Sequence, residues 1–169
     1  MTISIKKIII ELEEHNRVIE KILSNQTEKI NEIARLIINC YKNGNKVILF
    51  GNGGSAADAQ HIAAEFTGKF YIDREPLFAE ALHANTSFLT AVANDYSYEE
   101  VFSRMVKAMG REGDVLIGIS TSGNSKNVIR AIQVANDKKM ITIGLTGQGG
   151  GNMKNICKYI IEVPSSDTP

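Results

Sequence analysis

Val47-Ile48-Leu49-Phe50-Gly51-Asn52-Gly53-Gly54-Ser55 reads as a short apolar strand that runs into a glycine-rich turn and then a helix. The same pattern recurs downstream. Apolar runs fall at Val47-Phe50, Phe78-Leu82, Val115-Ile119, Ile141-Leu145 and Tyr159-Val163. Helical patterning lies between them, at Ser55-Phe66, Ser87-Ala93 with Tyr98-Met109, Ser125-Asp137 and Gly151-Ile156. Near-continuous apolar strands are expected where helices cover both faces of a sheet. Alternation of strand and helix argues a parallel sheet. The fold class is therefore α/β: a three-layer doubly wound sheet of about five parallel strands.

Upstream of Val47 the periodicity is purely helical. Ile5, Ile8, Ile9, Leu12, Ile19 and Ile22 mark one helix within residues 3–22. Ile30, Ile33, Ala34, Ile37, Ile38 and Tyr41 mark a second, from about Thr27. Asn43-Gly44-Asn45 ends it, with Gly44 suited to a left-handed C-cap. These two helices (residues 1–44) are read as an N-terminal extension, an added layer that packs within the chain or against another subunit. Residues 45–169 form the α/β core, and the 169 residues are read as one domain.

Composition narrows the function classes. Hydrophobic residues are 43% and charged residues 22%, which fits a globular core. The net charge is zero, so no global field draws the chain to nucleic acid or a membrane. The apolar run Ile3-Ile10 is broken by Lys6 and Lys7 and is too short to span a bilayer. No small-residue cleavage site follows it, so a signal peptide is not expected. Cys40 and Cys157 lack metal-type spacing and read as reduced, buried thiols, consistent with a cytoplasmic protein.

In an open parallel sheet, ligands bind beyond the carboxyl ends of the strands. Two loops stand there. In Gly51-Asn52-Gly53-Gly54-Ser55 the glycines allow close approach, and Ser55 is a candidate N-cap for the next helix. No Gly-Lys-Ser/Thr follows, so this is not a P-loop, and the dinucleotide fingerprint is absent. A tight turn that needs glycine would read the same way. The second loop is Ser120-Thr121-Ser122-Gly123-Asn124-Ser125. Its hydroxyls, with free amides at a helix N-terminus, suit a phosphate dianion. A plain cap-and-turn is the alternative.

His61 and Glu65 lie four residues apart on one helix face, with Asp58 nearby. Such a pair can bind a divalent metal or set up proton transfer, but it needs a further ligand to make a metal site. A solvated helix face is the bland reading. His15 and His83 have no comparable partner. Asn94-Asp95 reads as a loop able to bond sugar hydroxyls.

Taken together, several stretches resemble the sugar isomerase (SIS) domain family, most nearly its sedoheptulose-7-phosphate isomerase branch. They are Gly51 through His61, Glu65, Asn94-Asp95, Gly110-Arg111-Glu112-Gly113-Asp114-Val115-Leu116 and Ile119 through Asn124. The resemblance implies an aldose-ketose isomerase acting on sedoheptulose 7-phosphate, in heptose synthesis for surface glycans. It implies a homotetramer with active sites at subunit interfaces, one zinc per subunit, and no direct nucleic-acid or membrane partner. Carried over by position, Asn52, Gly53, Gly54, Ser55, Asn94 and Asp95 contact the sugar. Ser120, Thr121, Ser122 and Ser125 hold its phosphate. His61 and Glu65 are metal ligands, and Glu65 is also the catalytic base. The family's last helix, with Gln and His completing the metal site, is expected after Ser165-Pro169 and is not in this sequence. Lys69 stands where the family usually has Arg, and Asn85 where Asp is common. A non-catalytic branch, a scaffold for the replication initiator DnaA, shares much of the stretch Phe88-Glu100. Another phosphosugar isomerase or sensor is the remaining alternative.

Overall fold

The structure is a computed structural model that describes residues 5–168. Ile3 and Ser4, within the first helical pattern and its apolar run, and Pro169 lie outside the described residues.

Five strands form one parallel sheet: β1 (Val47–Gly51), β2 (Ala79–Ala81), β3 (Val115–Ile119), β4 (Ile141–Thr146) and β5 (Tyr159–Glu162). Their spatial order is β2-β1-β3-β4-β5. Every neighbouring pair is parallel. The order reverses between β1 and β3. In doubly wound sheets that reversal opens a crevice at the carboxyl ends, where ligands bind.

Strand alternation divides the core between two faces. Ile48, Phe50 and Leu116 pack with Leu82, Val92, Val101, Phe102, Val106, Val128 and Ile132. This face is covered by α4 (Thr86–Asp95), α5 (Val101–Met109) and α6 (Lys126–Asp137). Phe50 and Phe102 meet with ring centroids 5.0 Å apart. Each of these fully buried rings contributes about 1.5–3 kcal/mol through apolar burial. Val47, Leu49, Val115, Ile117 and Ile143 point to the other face, onto Ala59 and Ala63 of α3 (Gly54–Thr67) and Ile33 and Cys40 of α2 (Thr27–Lys42).

The N-terminal helices therefore separate in role. α2 packs within the chain, the first of the two arrangements the sequence allowed: it shares the cover of one sheet face with α3. α1 (Ile5–Asn25) has no buried residue, and Ile5, Leu12 and Leu23 stand in the open. Gln26 separates the two helices and donates its Nε2 amide to the Glu162 carbonyl at 3.3 Å. Gly44 takes φ +75° just past α2, the left-handed turn expected there.

Smaller differences from the sequence reading are local. β2 omits Phe78 and Leu82, and the Gly151-Ile156 pattern folds as a 3-10 turn, Gly151–Asn155. Three consecutive residues with positive φ, Gly149 to Gly151, lead into that turn. Asn94 and Asp95 form the last residues of α4 rather than a loop. Asn85 caps α4, its Oδ1 accepting the Phe88 amide at 3.0 Å. A carboxylate would cap there equally well, which accounts for Asn at that position.

Candidate active site

β1 and β3 are neighbours in register, with Gly51 opposite Ile119 at their carboxyl ends. Their two loops thus face each other across the crevice. A Cβ on Gly51 would lie 2.9 Å from the Ile119 carbonyl oxygen and 2.7 Å from Ser55 Cβ. Only glycine lets the two strand ends and the start of α3 meet this closely.

The first loop turns earlier than the sequence suggests. Gly53, at φ +57°, is the residue before α3, and no side chain caps this end. Ser55 is not the N-cap. It lies inside the first turn and lines a cavity of about 90 Å³ together with Asn52, Ile119, Ser120, Thr121 and Ser125. Five of the positions assigned to sugar or phosphate by resemblance therefore converge on one small cavity.

The second loop is shaped by its own hydroxyls. Ser120 is 5% exposed, and its Oγ lies 3.0 Å from Ser125 Oγ. Ser122 Oγ accepts the Asn124 amide at 3.1 Å, closing a tight turn. Ser125 precedes α6 but makes no side-chain capping bond. The Val128 amide of the first turn is taken by Asn127 Oδ1 at 2.9 Å, which leaves the Lys126 and Asn127 amides of α6 for an anion, aided by the helix dipole. Behind the loop, the Met153 amide donates to the Gly123 carbonyl at 3.0 Å, and the Asn152 amide to Asn124 Oδ1 at 2.9 Å. The Gly149-Gly151 segment is thus a buttress for the hydroxyl loop.

Asn52 is clasped by Asn127, the second residue of α6. Asn52 Nδ2 donates to Asn127 Oδ1 at 3.0 Å, and Asn127 Nδ2 donates back to Asn52 Oδ1 at 2.9 Å. The Tyr98 hydroxyl also donates to Asn52 Oδ1, at 3.1 Å. Tyr98 begins a 3-10 turn, Tyr98–Glu100, that is tied to α6 by charge. Glu99 pairs with Lys126 at 3.1 Å and Arg130 at 2.6 Å, and Glu100 also pairs with Arg130. The Ser103 hydroxyl holds the Glu100 carboxyl below its ordinary value, opposed by desolvation and reinforced by Arg130. Neither Asn127 nor Tyr98 stood out in the sequence reading. The only local hint was an Asn two residues after the hydroxyl loop.

His61 and Glu65 do meet: His61 Nε2 and Glu65 Oε1 are 3.1 Å apart on α3, with side chains 75% and 37% exposed. They lie outside the small cavity. Arg74 steadies this end of α3, donating to the Phe66 carbonyl at 2.9 Å and the Glu65 carbonyl at 3.2 Å. A guanidinium is well suited to the unpaired carbonyls of a helix C-terminus. Lys69 is exposed beside Asp73. Asn94 Nδ2 donates to Asp95 Oδ1 at 2.9 Å, and both side chains are outside the cavity. Tyr98, three residues beyond Asp95, is what ties that segment to the site.

Residues 12–147 match the SIS domain family. The chain belongs to the SIS domain family.

Within it, a phosphoheptose isomerase from Aneurinibacillus thermoaerophilus is 56% identical over 140 residues, which are 83% of this chain and 71% of that protein. A solved phosphoheptose isomerase from Neisseria gonorrhoeae superimposes with a TM-score of 0.90 at 43% identity, covering 96% of this chain and 87% of that one. Another, from Francisella tularensis, gives 0.94 at 34% identity, with 98% and 88% covered.

A second cavity of this SIS domain, about 430 Å³, opens beside the hydroxyl loop. Thr121, Ser122, Leu145, Val163 and residues 165–168 are among those that line it. His61 and Glu65 offer one nitrogen and one carboxylate, the donor types zinc takes. No group of three or more His, Cys, Asp or Glu able to hold a metal occurs among the described residues. Among them, too, no helix is long and apolar enough to cross a membrane.

Proposed function

We propose that this chain is an aldose-ketose isomerase that converts sedoheptulose 7-phosphate to D-glycero-D-manno-heptose 7-phosphate. The observation that carries this reading is the hydroxyl-lined cavity at the β1/β3 crossover. There Ser120, Thr121 and Ser125 face Asn52 and Ser55 above the open N-terminus of α6. Identities above one half to proteins named phosphoheptose isomerase support the substrate.

In this mechanism the phosphate anchors the sugar on Ser120, Thr121, Ser122, Ser125 and the first amides of α6. Asn52, Gly53, Gly54, Asn94 and Asp95 contact the sugar chain. Glu65 takes the proton from C1 of the ketose, which gives an enediol, and a proton returns to C2. The hydroxyl proton passes from O1 to O2, so the atoms balance without a co-reactant. His61 orients the Glu65 carboxylate through their contact.

Zinc fits the His61 and Glu65 donors, with its remaining ligands coming from beyond the described residues. When bound, it would polarise the sugar oxygens and stabilise the negative charge that develops on them. The unburied apolar residues of α1 support association with a further copy of the chain, as the homotetramer implied by the family resemblance would require. Two unpaired thiols, Cys40 and Cys157, suit the cytoplasm, and the product would feed surface-glycan heptose.

The test is direct. The full gene product, with zinc added, is incubated with sedoheptulose 7-phosphate, and the aldose is followed by proton NMR. Appearance of the heptose 7-phosphate is expected. Its absence at micromolar enzyme would overturn the assignment.

A further inference from the structure

Asn52 reaches the site with most of its hydrogen-bonding capacity already used. A carboxamide offers two N–H donors and two lone pairs on oxygen. Both lone pairs of Asn52 are taken, by Asn127 Nδ2 and the Tyr98 hydroxyl. One N–H goes to Asn127 Oδ1. The other has no partner among the described residues, and Asn52 lines the small cavity with Ser55, Ser120, Thr121 and Ser125.

The orientation of this amide is dictated from α6. Asn127 is 4% exposed, and its Oδ1 also accepts the backbone amide of Val128 at 2.9 Å. A backbone amide can only donate, so the oxygen of Asn127 is fixed on that side. Its Nδ2 must then donate to Asn52, and Asn52 must donate back. Turning the Asn52 amide over would set two N–H groups against each other and leave the Tyr98 hydroxyl without its acceptor. Tyr98 itself sits on the turn that Glu99 and Glu100 bind to Lys126 and Arg130. One helix thus presents amides to the phosphate, holds Asn52 through Asn127, and holds Tyr98 through its charges.

We infer that Asn127 and Tyr98 are positioning residues for the sugar, aiming the last Asn52 N–H at an oxygen of the bound phosphosugar. They act through Asn52, so the inference rests on the reading of Asn52 as a sugar contact. It assigns the link between phosphate capture and sugar alignment to α6.

A double-mutant cycle tests this on the full gene product, with kcat and KM for sedoheptulose 7-phosphate and with inorganic phosphate as a competing ligand. Tyr98→Phe keeps the ring and removes one hydrogen bond. It should lower kcat/KM by about three- to tenfold, the effect of one such bond. The thermal midpoint and the inhibition constant of phosphate should stay unchanged. In an Asn52→Ala background, Tyr98→Phe should cost nothing further, because residues acting as one unit are not additive. Asn127→Asp, which keeps both acceptor bonds but removes the donor to Asn52, should lower kcat/KM and be likewise silent in that background. An unchanged kcat/KM for Tyr98→Phe, or the same loss with and without Asn52, overturns the inference and leaves the sugar contact standing. A silent Asn52→Ala removes the sugar contact itself, and the inference with it.

Discussion

A Cβ placed on Gly123 would lie 2.1 Å from the carbonyl oxygen of Gly150, so the hydroxyl loop and its buttress touch backbone to backbone. Gly123 also takes φ +63°, a region costly for any side chain. The two constraints fall on the same residue, at the centre of the hydroxyl loop.

Gly123→Ala should therefore destabilise the protein by roughly 2–4 kcal/mol, combining the positive φ with the clash. Urea denaturation measures it. The same variant should lose affinity for inorganic phosphate, because the loop must move to admit the methyl group. A midpoint equal to the parent would show that the two loops are not in contact.

Ser122→Ala should weaken phosphosugar binding while leaving the fold intact. The hydroxyl accepts only the exposed Asn124 amide, which water can satisfy in its place. KM for the phosphorylated sugar should rise about tenfold, the effect of one hydrogen bond to a charged group. An unchanged KM would remove Ser122 from the phosphate site.

The parallel sheet was legible because strands buried on both faces read as unbroken apolar runs, as in Val115-Ile119. The hydroxyl loop between β3 and α6 was legible because its hydroxyls are contiguous in the chain. The Asn52–Asn127–Tyr98 cluster was not, since its partners lie 75 and 46 residues apart and none is unusual locally. Ser55 was misread as a cap because sequence does not show that Gly53 turns the chain two residues earlier. The split between α1 and α2 was hidden for a related reason. An amphipathic stripe shows that a helix has an apolar face, but not what that face meets.

Asp114 ties the entry of β3 to the entry of β1. Its buried carboxylate accepts the Lys46 ammonium, the Lys46 and Arg111 backbone amides and the Asn45 side chain. Burial alone would raise its pKa, but these donors outweigh it and hold the carboxyl below its ordinary value. A depressed folded-state pKa stabilises the protein above the unfolded value, near pH 4, and the contribution is lost as pH falls through the folded value. Asp114→Asn should cost about 3 kcal/mol at neutral pH, because Lys46 is left without its counter-charge. The loss of stability on acidification below about pH 4 should also be shallower in the variant. Equal slopes for parent and variant, measured by urea unfolding across that range, would show that Asp114 is not the responsible group.

The central claim is that Glu65 moves the proton in a sedoheptulose 7-phosphate isomerase. Glu65→Gln preserves size and polarity but removes the base. The decisive measurement is turnover of sedoheptulose 7-phosphate by the full gene product and by Glu65→Gln, alongside the affinity of each for inorganic phosphate. The account predicts turnover by the parent and a fall of about 10²–10⁴ in kcat for the variant, with phosphate affinity retained. Comparable kcat values for the two proteins, or no turnover by the parent, would contradict it.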